Sequence, residues 1–99
     1  MFGRNIGGKL GVSDNRFARF LEREIVPRFP DGLTVVDATG RWRDAKTGHL
    51  IREPSKMVSI VTVQDAALQQ KIDAISSAYK RLFRQDSVGV VIRQACVSF

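Results

Sequence analysis

The residues best suited to chemistry fall in one stretch, between Pro27 and Lys56. Trp42 stands between Arg41 and Arg43. A flat ring with guanidinium forks beside it suits a planar ligand whose carboxylate or phosphate is gripped bidentately. The competing reading is structural: the ring covers an open sheet face or a partner subunit, because Trp and Arg are both enriched in interfaces. A second set is Arg52-Glu53-Pro54-Ser55-Lys56. Pro54 has no N–H to donate, so a strand through it is expected to break or bulge, aiming Glu53, Ser55 and Lys56 off the ladder. Such a break positions ligand-binding groups or simply protects a sheet edge with solvated charge.

Asp37 alternates with Leu33 and Val35, which places a carboxylate on an apolar face and calls for a cation such as Arg4 or Lys56. A pair of that kind serves packing or substrate binding, and packing is the commoner outcome. His49 is the only histidine and sits in a turn-like segment, where a solvated imidazole is expected rather than a metal ligand, since metal sites need several donors. Cys96, the only cysteine, has no neighbouring His or Cys and reads as a small buried hydrophobe. No catalytic residue, metal or cofactor is assigned on these grounds, and whether the chain is an enzyme stays open.

Elements must exist to position these groups, and the pattern supplies them. Ser13 is a suitable N-cap, and Phe17, Phe20, Leu21 and Ile25 form one apolar stripe of a helix that Pro27 stops near Val26. After the Pro30-Asp31-Gly32 turn, Leu33 to Ala38 reads as a strand, which Arg41-Trp42-Arg43 extends. Asp44 and Gly48 frame a hairpin loop, and His49 to Arg52 pairs back. Lys56 to Val63 is apolar on both faces, as a central strand is, and Leu68, Ile72, Ile75, Tyr79 and Leu82 mark a second helix beginning near Gln64-Asp65. Met1 to Ile6 and Val88 to Arg93 complete the order β-α-β-β-α-β. That order is the ferredoxin-like α+β arrangement, two helices on one face of a four-stranded antiparallel sheet, as a single domain over residues 1–99. A central first strand that starts at Met1 is short for its place, which suggests a trimmed or late start.

Several segments together make the sequence resemble a bacterial domain-of-unknown-function family of short, often exported or lipid-anchored proteins. They are Phe2-Gly3-Arg4, Phe17 to Glu24, the run from Pro27-Arg28-Phe29-Pro30-Asp31-Gly32 to Ala38, Gly40-Arg41-Trp42, Arg52 to Lys56, and Cys96-Val97-Ser98-Phe99. The resemblance covers essentially the whole chain. It implies no transferable activity or catalytic residue, and it raises export to the periplasm or envelope as an expectation for localisation.

The chain carries 16 Lys plus Arg against 10 Asp plus Glu, so anionic partners are favoured electrostatically. Nucleic acid is not the expected one, because the strands present no row of aromatics for base stacking and the basic residues are scattered. No apolar run is long enough to span a membrane. The two-sided apolar pattern of Lys56 to Val63 argues that the sheet face away from the helices is buried against a second copy. The expectation is a homodimeric binding or interaction module for an anionic small molecule or protein, with Asp37, Arg41, Trp42, Arg43, Glu53, Ser55 and Lys56 as candidate ligand-binding residues. The alternative is a small dimeric enzyme with its site between sheet face and hairpin.

Overall fold

A computed structural model describes residues 1–99. Its dominant feature is a long antiparallel hairpin, β4 (Thr34–Arg43) paired with β5 (Leu50–Ser59) in unbroken register from Thr34 opposite Ser59 to Arg43 opposite Leu50. The turn is fixed by Asp44, whose carboxylate accepts the Lys46 N–H at 2.7 Å and whose own N–H donates to the His49 carbonyl at 2.9 Å. Gly48, at φ 71°, takes the left-handed conformation that closes the loop.

The expected break at Pro54 is absent from this ladder, where Thr39 faces Pro54 in register. The reason is which side the proline lacks its donor. Both backbone polar groups of a strand residue point the same way, and the Pro54 carbonyl accepts from the Arg4 N–H at 3.0 Å. The missing N–H is therefore on the side of β1 (Phe2–Gly3), not of β4. Arg4 cannot complete the reciprocal bond, and its carbonyl turns to the N–H groups of Gly11 and Val12 at 2.9 and 3.0 Å. Pro54 thus ends β1 after two residues, Phe2 opposite Lys56 and Gly3 opposite Ser55. The chain then folds into a small second sheet, β2 (Asn5–Ile6) against β3 (Lys9–Leu10).

Two helices cover the core. Ser13 caps α1 (Asp14–Phe20) by accepting the Arg16 N–H at 3.1 Å, and a π-helical turn, Leu21–Ile25, carries the helix to Val26 before Pro27. The second helix, α2 (Leu68–Phe83), starts later than the pattern suggests. Asp65 holds the preceding turn through the Ala67 N–H at 3.0 Å. Phe2, Phe17, Phe20, Tyr79 and Phe83 pack ring against ring, with centroids 4.8 to 6.2 Å apart, mostly edge to face. Each such buried ring contributes about 1.5–3 kcal/mol by area alone, and this cluster anchors β1 and both helices to the near end of the hairpin.

The fold is α+β with antiparallel sheets, but the main sheet has three strands in the order β1-β5-β4 rather than four. Two expected stretches carry no strand. Ile60 to Val63 leaves the hairpin after Ser59, so the stretch read as one central strand supplies only its first residues to β5. Residues 88–99 form no strand either; they meet β1's end through Met1 and Gly89, whose backbone groups bond each other. Tertiary position overrides the β-branched composition of both stretches, which have no ladder partner beside them.

Candidate functional site

The polar residues singled out by sequence lie in separate places. Asp37 and Lys56 face each other across the hairpin on the side that meets α1. Lys56 is nearly buried, and its ammonium bonds the Asp37 carboxylate and also the Asp14 carboxylate, at 2.9 Å, at the start of α1. Arg4, equally buried, reaches Asp14 at 3.0 Å and donates its Nε–H to the Val12 carbonyl at 2.9 Å. The Lys56 ammonium also stands 6.0 Å from the Phe17 ring centre. Hydrogen bonding from Lys56, then the charges of Lys56 and Arg4, hold the Asp14 carboxyl below its ordinary value. The bonds to Asp14 and Asp37 push Lys56 above its own. Both groups are locked in their charged forms around neutral pH, so the cluster is a poor proton relay and a good fastener of α1 to the sheet. Asp14 appears in the sequence only as a favourable helix-dipole acid.

Glu53 and Ser55 lie on the opposite face of β5. Ser55 is buried and its hydroxyl donates to the Glu53 carbonyl at 3.3 Å. The Glu53 carboxylate accepts the Asn5 N–H at 2.9 Å and rests on Gly3, where a Cβ would come within 2.6 Å of it. A side chain at Gly3 would push that carboxylate away from the Asn5 N–H. Gly3's carbonyl in turn accepts the Tyr79 hydroxyl at 2.6 Å. Burial, reinforced by the Glu53 charge, pushes the Tyr79 hydroxyl well above its ordinary value, so it stays protonated and serves as a donor.

Arg41, Trp42 and Arg43 occupy the distal half of the hairpin and are exposed. Because successive strand residues point to opposite faces, Arg41 and Arg43 share one face while Trp42, half-exposed and opposite Ile51, belongs to the other. One face therefore cannot both stack a ligand on Trp42 and hold it with these arginines. The partner the sequence reading missed is Arg52, which stands directly opposite Arg41. None of Arg41, Arg43 or Arg52 is in an ion pair. Counting back along both strands from the Asp44–Gly48 turn would have revealed the pairing. On the other face lie two apolar pairs, Val36 opposite Met57, both exposed, and Trp42 opposite Ile51, with Ala38–Ser55 and Gly40–Glu53 between them.

Two open grooves lie elsewhere. One, of about 310 Å³, runs between α1 and α2; the other, of about 460 Å³, lies between the Arg28–Gly32 turn and residues 60–63. Neither is lined by the residues singled out on the hairpin. His49 is exposed, and no three His, Cys, Asp or Glu side chains cluster as a metal ion requires. Cys96 is exposed too, contrary to its reading as a buried hydrophobe, because the last segment joins no sheet that would cover it. No helix is long and apolar enough to cross a membrane.

Comparison with known proteins adds the following. The family described as a protein of unknown function, DUF3574, matches residues 1–99. No curated sequence matches the chain. Among solved structures, a phage SAM lyase in its apo state is similar with a TM-score of 0.61 at 20% identity, covering 86% of this chain and 68% of that one. At that identity the likeness is one of fold.

Proposed function

This chain belongs to the DUF3574 family of proteins of unknown function, and we propose that it is a small homodimeric binding module that holds an anionic small molecule on its distal arm. The observation that carries the reading is Arg41 directly opposite Arg52, with Arg43 one step further on the same face and no acid paired to any of them. Like charges directly opposed across strands are destabilising. A carboxylate or phosphate lying across the two guanidinium groups turns that repulsion into paired, charge-assisted bonds. Asp37 and Lys56 then act from the near end as the fastener that holds the arm to α1, and Glu53 and Ser55 order its other face.

The homodimer rests on the free outer edge of β4, which offers unpaired backbone groups to a second chain, and on the exposed apolar side chains of Val36, Met57 and Trp42 beside it. We take the four-stranded ferredoxin-like sheet as the arrangement toward which the Met1–Gly89 backbone pair points. A thermal-shift screen of multivalent anions tests the ligand, since a molecule that binds only the folded state raises its melting temperature. Citrate and tripolyphosphate should raise it and chloride of equal ionic strength should not; equal effects of all three would remove the reading. Sedimentation at roughly tens of micromolar tests the dimer, a range where mass action makes association visible.

The likeness to a phage SAM lyase favours a second reading, a small enzyme acting on a related sulfonium substrate. The net charge of +6 works against it, because the sulfonium centre is itself cationic. Loss of S-adenosylmethionine on incubation with the pure protein, followed by mass spectrometry, would establish that activity, and unchanged substrate would dismiss it.

A further inference from the structure

We infer that the groove between α1 and α2 is a docking surface for an acidic peptide segment of a partner protein, separate from the anion site proposed on the arm. Arg16, Arg19 and Arg23 recur along α1 and its π-helical extension, and Arg81 faces them from α2. At about 1.5 Å of rise per residue the three on the first helix spread over about 10 Å. None of these arginines is in an ion pair. The one acid in the groove wall, Glu24, is already taken by Arg28 at 2.9 Å. Arg16 is held in place, its guanidinium 5.0 Å from the Phe83 ring centre and bonded to the Gly11 carbonyl at 2.7 Å. Leu82, 51% exposed, gives the floor one apolar contact.

The shape of this charge decides the occupant. A small anion is best held in a pocket that buries most of its surface, and this groove is shallow, with guanidinium groups strung along its length. A chain bearing several carboxylates at similar intervals, with an apolar residue to meet Leu82, satisfies them together. Nucleic acid fits less well: Phe20 and Phe83 are buried and leave no ring for a base to stack on.

The test uses the whole chain and a short fluorescein-labelled peptide of glutamates around a central leucine, followed by fluorescence anisotropy. Wild-type protein should bind it with an affinity that falls as salt rises. The double substitution Arg19→Glu, Arg23→Glu should weaken binding by about tenfold or more, because two attractions become repulsions. Arg81→Glu, on the other helix, should weaken it in the same direction, whereas Arg93→Glu, exposed and outside both the groove and the arm, should leave it unchanged. Should the double reversal lose its far-UV circular dichroism, the neutral pair Arg19→Gln, Arg23→Gln serves instead, with a smaller loss expected. The inference is overturned by absence of binding, by an equal loss in Arg93→Glu, or by groove variants that bind as wild type does. Displacement of the peptide by inorganic phosphate or by a single-stranded oligonucleotide at equal charge concentration would also overturn it, pointing to those occupants. Failure here leaves the arm's anion screen untouched, and the reverse holds equally.

Discussion

The two ends of the hairpin treat charge in opposite ways. At the near end Arg4 and Lys56 are almost buried, and their charge is matched by Asp14, Asp37 and the Val12 carbonyl. At the far end Arg41, Arg43 and Arg52 are exposed and matched by no acid. Both ends belong to the same two strands in continuous register. The difference therefore lies in what packs against them: α1 and the aromatic cluster at one end, solvent at the other. Stability is concentrated where charges are matched; at the far end Arg43 donates to the Gly48 carbonyl at 2.9 Å, and the Arg41 and Arg52 guanidinium groups are left available for binding.

Substitutions sharpen this contrast. Phe17→Ala, at the centre of the ring cluster, should lower the unfolding free energy by about 3–5 kcal/mol in urea denaturation, a cavity-forming loss. Arg4→Met strips the Val12 carbonyl and Asp14 of a buried donor, and about 2 kcal/mol should disappear. Tyr79→Phe leaves the Gly3 carbonyl without its hydroxyl partner and should remove about 1–2 kcal/mol. At the far end, Arg41→Ala should change stability by no more than about 0.5 kcal/mol, and upward if at all. A destabilisation at Arg41 as large as that at Tyr79 would break the comparison.

Acidity and alkalinity probe the near end alone. Asp14 is held below its ordinary 3.8, so its contribution is present above that value and is lost as pH falls through its lowered folded-state value. Lys56 is raised above 10.5, so its contribution is whole below 10.5 and is lost as pH climbs through the higher folded-state value. Tyr79 keeps its proton in the folded chain when the unfolded chain has released it, so stability should also fall above pH 10. Asp14→Asn should flatten the acid limb of a stability–pH curve and Tyr79→Phe the alkaline limb. No matching change is expected from Arg43→Ala.

Much of the near end was legible in the sequence. The stripe of Phe17, Phe20 and Ile25, the Ser13 cap and the Pro27 stop are local rules, and local rules survive folding. Asp37 could be placed on an apolar face by alternation, but Asp14 joined it only through the docking of α1, a contact that periodicity does not encode. Pro54 misled for a related reason: a missing N–H matters only on the side where a neighbour would accept it, and that side became clear once β1 was seen beside β5. The β-branched runs at residues 60–63 and 88–93 carry strand propensity without a ladder. The arm's arginines were visible as residues, while their division between faces needed the turn to set the register.

The central claim is that Arg41 and Arg52 oppose each other at some loss of stability that an anion recovers. Chemical denaturation of wild type and Arg52→Ala, at low salt with and without tripolyphosphate, tests it directly. The account predicts that Arg52→Ala is at least as stable as wild type in the absence of the anion, and that tripolyphosphate stabilises wild type more and reverses the order. An Arg52→Ala chain less stable than wild type at low salt, gaining as much from tripolyphosphate as wild type does, would contradict it.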